Sequence, residues 1–136
     1  MSVVENLSEL SLQYFALVRQ LSSKFELTLS QTLVLLSIPF DGITLSELSE
    51  KLGIDISTMT RNIQRIEKKN LIKRLPNPDD KRSIKLFLSQ RGNTHANSIN
   101  LEISVSLSSL AEKSSAFISP LAFEHTSIKS LKIFSK

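Results

Sequence analysis

The stretch ITLSELSEKLGIDISTMTRNIQRIEKKN, residues 43–70, restricts the fold more than any other part of the chain. Thr44 followed by Glu47 has capping-box spacing, and Leu45, Leu48 and Leu52 recur behind it at helical intervals. Gly53 ends that helix, since glycine takes the left-handed backbone of a helix C-terminus at little cost. After so short a break, Asp55 can cap a second helix whose inward face is Met59, Ile63 and Ile66. Asn70 suits its end, because asparagine tolerates positive φ. Two short helices joined by a tight glycine turn, the second carrying polar and basic groups outward, make a helix-turn-helix pattern.

Other elements flank this pair. Leu7, Leu10, Tyr14, Leu17, Leu21 and Phe25 form a helical stripe near the N-terminus, and Leu12, Phe15 and Val18 widen it. That surface is wider than one neighbour usually covers, so it points either to a subunit interface or to a monomeric helical core. Thr28 and Gln31 open a central helix that Pro39 ends, and Asp41-Gly42 is a turn. Residues 71–75 and 83–88 read as strands, with the seven-residue loop PNPDDKR between them. Ser89 caps a helix from about residue 90 to 113 with the stripe Ile99, Ile103, Leu107 and Leu110. Ser119-Pro120 opens a last helix through Phe123, Ile128, Leu131 and Phe134.

Composition removes whole classes of chemistry. The chain has no cysteine, which excludes disulfides, thiolate metal sites, cysteine nucleophiles and thiol-based sensing. His95 and His125 are too few for a His-rich metal site and read as surface or interface residues. The N-terminus lacks the basic region and apolar core of a signal peptide, and no apolar run is long enough to cross a membrane. A soluble cytoplasmic protein is the expectation.

Charge is unevenly placed. Residues 51–91 hold eleven Lys/Arg against four acids, while the rest of the chain is net acidic. A basic middle fits an anionic partner, and equally a solvated basic surface. Within it, RLPNPDDKRSIKLFLSQRG (residues 74–92) admits three readings: an acidic metal or catalytic cluster, a plain turn, or a basic finger reaching outward. Asp79-Asp80-Lys81 lacks the second carboxylate, from a separate element, that metal-dependent nuclease chemistry needs. With no glycine-rich phosphate loop and no Ser/His/Asp spacing, the chain is not expected to be an enzyme, to bind metal or to use a cofactor.

A helix-turn-helix followed by a charged-tip hairpin describes a winged helix, and here the sequence resembles the MarR-type transcription regulators. The resemblance is carried by TLSELSEKLGI, by STMTRNIQRIEKKNLIKR and above all by the hairpin. Asp80-Lys81-Arg82 matches the family's D-x-R, and Leu88-Ser89-Gln90-Arg91-Gly92 its L-T-x-x-G-like turn. Asn70 stands where the family usually has glycine and Ser89 where it has threonine, both conservative in physical terms.

The resemblance implies a mainly α fold with a small β-hairpin. A winged helix-turn-helix lobe at residues 28–90 would sit within a single 1–136 domain. Residues 1–27 and 91–136 would supply N- and C-terminal dimerisation helices. It implies that the 55–69 helix enters a DNA major groove, with Ser57, Thr58 and Thr60 near phosphates or base edges and Arg61, Asn62 and Arg65 reading. In the wing, Arg82 would enter the minor groove, Asp80 would pair with and orient it, and Lys73, Arg74, Lys81 and Lys85 would contact phosphates. It further implies a homodimeric repressor on a pseudo-palindromic double-stranded operator. A small effector is also implied, with Tyr14, Phe15, Phe25 and Phe40 as candidate lining, though aromatics at helical spacing are more often core. The competing reading is a winged-helix module that binds an acidic protein surface.

Overall fold

A computed structural model describes the backbone of residues 2–113 and the side chains of residues 2–109. The Leu110 side chain, His125, the Ser119-Pro120 start and the expected last helix lie outside what the structure describes. The elements run α1 (Val3–Lys24), α2 (Leu29–Ser37), β1 (Ile43–Thr44), α3 (Leu45–Leu52), α4 (Ile56–Lys68), β2 (Ile72–Asn77), β3 (Asp80–Leu88) and α5 (Gln90–Lys113). The class is mainly α, as expected, and the expected β-hairpin is part of a small three-stranded sheet.

Side-chain caps set the helix starts. Capping boxes close α1 (Ser2 with Glu5), α2 (Thr28 with Gln31) and α3 (Thr44 with Glu47). Each satisfies backbone N–H groups that the first helical turn leaves unpaired. The α3–α4 turn forms as expected: Gly53 has φ 63° and Asp55 accepts the Thr58 N–H. Asn70 after α4 has φ 60°, so it performs the task usually given to glycine.

Two clusters make the core. Leu35, Leu48, Met59, Ile63, Ile66, Leu71 and Leu86 are essentially inaccessible and join α2, α3 and α4 to the sheet. Val18 and Leu21 of α1 meet Ile99 and Ile103 of α5 in the second cluster. Burying each such aliphatic side chain contributes about 1.5–3 kcal/mol, so these contacts fix α4 and the sheet as one body. Phe25 touches both clusters, and a 2.6 Å hydrogen bond between the buried Ser22 and Thr32 hydroxyls ties α1 to α2. Only the later part of the α1 stripe is covered; Val3, Val4, Leu7 and Leu12 are exposed, as are Leu101 and Val105 on α5.

The sheet differs from expectation in two places. β1 pairs with β3, giving the antiparallel order β1-β3-β2. Its two residues double as the lead into α3, so no alternation marks them as a strand. The hairpin loop is also far shorter than seven residues, with β2 and β3 paired out to Asn77 and Asp80. Asn77 explains the extension: its Oδ1 accepts the Asp79 N–H at 3.0 Å and its Nδ2 donates to Ser83 Oγ at 2.9 Å. Pro76 is tolerated because β2 is an edge strand, and the register irregularity falls beside it.

Candidate nucleic-acid interface

α4 and the β2–β3 hairpin hold most of the residues singled out in the sequence. The helix buries Met59, Asn62, Ile63 and Ile66. At about 100° per residue, the opposite line runs Ser57, Arg61, Gln64 and Lys68, all exposed. Arg65 is exposed on one flank and Thr60, half-buried, sits on the other.

The first turn is tightly organised. Asp55 accepts both the Thr58 N–H (2.9 Å) and the Thr58 hydroxyl (2.6 Å). These two bonds, the hydroxyl's first, hold the Asp55 carboxyl below the ordinary carboxylate range, with Arg61 adding a smaller push. Thr60 donates to the Ile56 carbonyl at 2.7 Å. Both threonine hydroxyls therefore bond within α4 or to its cap, whereas Ser57 and Arg61 stand at its outer surface.

Asn62 is placed differently from expectation. Its Nδ2 donates to Ser30 Oγ at 2.8 Å and the residue is only 7% exposed, so it pins α4 to α2. Gln64 occupies the outward line instead. Apolar spacing alone does not reveal this, because Asn62 sits beside Ile63 on the edge of the inward arc, and only the Ser30 partner draws it in.

The cations divide into two groups. Lys51 donates to the Ser37 carbonyl at 3.0 Å, Lys69 donates to the Glu26 carbonyl, and Arg74 pairs with Glu67 at 2.6 Å. Arg74 was expected on phosphate; it instead fastens the root of the wing to the end of α4. Lys73, Lys81 and Arg82 are exposed and Lys85 is half-buried. Asp80 also acts otherwise than expected. Its Oδ1 accepts the Arg82 backbone N–H at 3.0 Å, so the carboxylate shapes the chain at the tip rather than gripping the guanidinium. A side-chain oxygen bonding a backbone N–H two residues on is a frequent turn device of aspartate.

The four aromatics proposed for a pocket do not converge. Tyr14 and Phe15 pack edge to face on α1 at 5.7 Å, and the Phe25 ring meets that of His95 at 4.9 Å, tilted by 56°. Phe40 is 98% exposed in the turn before β1. It borders a cleft of about 400 Å³ on the outer sheet face, with Lys73, Leu75 and Phe87. Among the described residues no group of three or more His, Asp or Glu could hold a metal ion, and no helix is long and apolar enough to cross a membrane.

Comparison with known proteins agrees with this geometry. Residues 27–84 match the family model described as the MarR family. Over 71 residues the chain is 41% identical to the multiple antibiotic resistance protein MarR of Salmonella typhimurium, covering 52% of this chain and 49% of that protein. The match thus spans about half the length of its curated relatives. A solved structure of the multiple antibiotic resistance repressor, MarR, superposes with TM-score 0.79 at 26% identity over 96% of each chain. A mutant MarR from E. coli complexed with operator DNA superposes with TM-score 0.67 at 25% identity, over 92% of this chain and 89% of that one.

Proposed function

We propose that the chain is a MarR-type winged helix-turn-helix protein and a double-stranded DNA-binding transcription regulator, a homodimeric repressor. The observation that carries this reading is the joint presentation of α4 and the wing. The outward line Ser57–Arg61–Gln64–Lys68 and the hairpin cations Lys73, Lys81 and Arg82 are exposed, while Met59, Ile63 and Ile66 lock the helix to the lobe. A rigid helix with polar and cationic groups outward suits a major groove, and a basic hairpin beside it suits the flanking backbone or minor groove. In this reading Ser57, Arg61, Arg65, Lys73, Lys81, Arg82 and Lys85 carry the contacts. Thr58 and Thr60 shape the first turns, Asn62 and Arg74 brace the element, and Asp80 sets the tip. The similar E. coli protein complexed with operator DNA supports the same docking.

Residues 28–90 form the DNA lobe in this proposal, and residues 1–27 and 91–136 form the dimerisation region of one 1–136 domain. The exposed apolar residues Val3, Val4, Leu7 and Leu12 of α1, with Leu101 and Val105 of α5, favour a helical two-fold contact. Two lobes related by that axis would read a pseudo-palindrome in the cytoplasm, and a small effector would act by changing lobe spacing.

The test is enrichment of fragments of the host's genomic DNA on the purified protein at low salt. Reproducible enrichment of a few inverted-repeat sites is expected. Failure to retain any duplex at low salt would overturn the proposal and favour an acidic protein partner for the same cations.

A further inference from the structure

We infer that Gln64 is a specificity-determining residue that reads an adenine beside the base read by Arg61. This rests on the proposal that α4 enters a major groove, and adds to it the identity and register of the amide reader. The buried residues Met59, Asn62, Ile63 and Ile66 define the inward direction of the helix. With about 100° between successive residues, Ser57, Arg61, Gln64 and Lys68 fall within about 30° of the opposite direction. Thr60 and Arg65 lie about 70° off it. Gln64 is the amide side chain on that line and is exposed. Asn62 is spent on Ser30 and faces the core.

Chemistry then separates the four outward residues. A glutamine amide presents one acceptor and a pair of donors, the pattern that matches adenine N6 and N7 together. The Arg61 guanidinium matches guanine O6 and N7. Ser57 is short and lies in the first turn, suited to a phosphate oxygen. Lys68, at the far end, is a point charge suited to the same kind of contact. Arg61 and Gln64 are three residues apart, about 4.5 Å along the helix axis. Stacked base pairs are about 3.4 Å apart, so the two side chains reach neighbouring pairs. The half-site therefore contains a guanine and an adenine in adjacent pairs.

The experiment is selection of bound duplexes from a randomised pool by the wild-type protein, Gln64→Ala, Gln64→Lys and Arg61→Ala. The wild type is expected to enrich a half-site with adjacent guanine and adenine preferences. Gln64→Ala should lose about tenfold to a hundredfold of the preference at the adenine alone. Gln64→Lys should move that position towards guanine, and Arg61→Ala should relax the neighbouring guanine. Since Gln64 is exposed, thermal melting of both its variants should match the wild type. An unchanged preference in both Gln64 variants, with the wild type binding its site normally, would overturn the inference. If the wild type enriches no duplex, the DNA-binding proposal itself fails.

Discussion

Gly92→Ala isolates the contact that sets α5 against the root of the wing. Gly92 has ordinary helical backbone, so its value lies in what a side chain would strike. A Cβ built there lies 1.9 Å from the Leu71 carbonyl oxygen and 2.9 Å from its carbon. That oxygen also accepts the Ser89 N–H at 3.0 Å, at the junction of β3 and α5. Relieving an overlap of more than about 1 Å means moving a helix turn or a strand end, and such overpacking costs about 1–3 kcal/mol. Loss of the Ser89 bond adds about 1 kcal/mol. Alanine's better helix propensity returns about 1 kcal/mol. The net expectation is a destabilisation of about 1–3 kcal/mol, which for a chain of this size lowers Tm by about 4–12 °C. Urea unfolding should show a lower midpoint with an unchanged slope. Gly53→Asn is the control. Gly53 has φ 63° with no atom of the described residues within 4 Å of a built Cβ, so a residue that accepts left-handed backbone should change little there. A Gly92→Ala protein as stable as the wild type, or more so, would refute the close-approach argument.

Three further perturbations separate structural from DNA-contacting roles. Asn62→Ala removes the bond to Ser30 and should cost about 1–2 kcal/mol in urea unfolding while leaving base preference intact; a stable variant with altered preference would reverse the assignment. Arg82→Ala should weaken duplex binding severalfold with no change in melting, because the residue is exposed; an unfolded variant would count against a wing role. Asp55→Asn keeps a good N-cap but removes a titrating group. The folded carboxyl is held below its ordinary range by Thr58. Its contribution is therefore fully present above the unfolded pKa of about 3.9, and is lost as pH falls through the depressed folded value. The stability gap between wild type and variant should narrow on acidification, and a gap constant with pH would contradict it.

Much of this architecture was legible because local signals agreed with one another. Thr28, Thr44 and Asp55 mark their helices by side-chain chemistry that needs no tertiary partner, and Gly53 and Asn70 mark their ends the same way. The inward residues Met59, Ile63 and Ile66 followed from periodicity alone. What escaped the sequence depends on distant partners. Asn62 turns inward for Ser30, 32 positions away, and Arg74 turns to Glu67 across the α4–β2 junction. In the wing, proline and asparagine read as loop, whereas Asn77 holds the strands together through its own side chain. The outward place of Gln64 depends on the same distant bond. With Asn62 counted as outward, the centre of the exposed face shifts, and only the burial pattern restores it.

The central claim is that the exposed cations of α4 and the wing bind nucleic acid through phosphates, and the salt dependence of duplex binding measures it most directly. With about four of them seated on phosphates in each lobe, log K should fall against log salt with a slope of about −3.6 per lobe, at about 0.9 per phosphate. Two lobes on one duplex should give about twice that value. Arg82→Ala should make the slope shallower, while Asn62→Ala should leave it unchanged. Binding whose affinity is insensitive to salt, or absent at the lowest salt, would contradict the account.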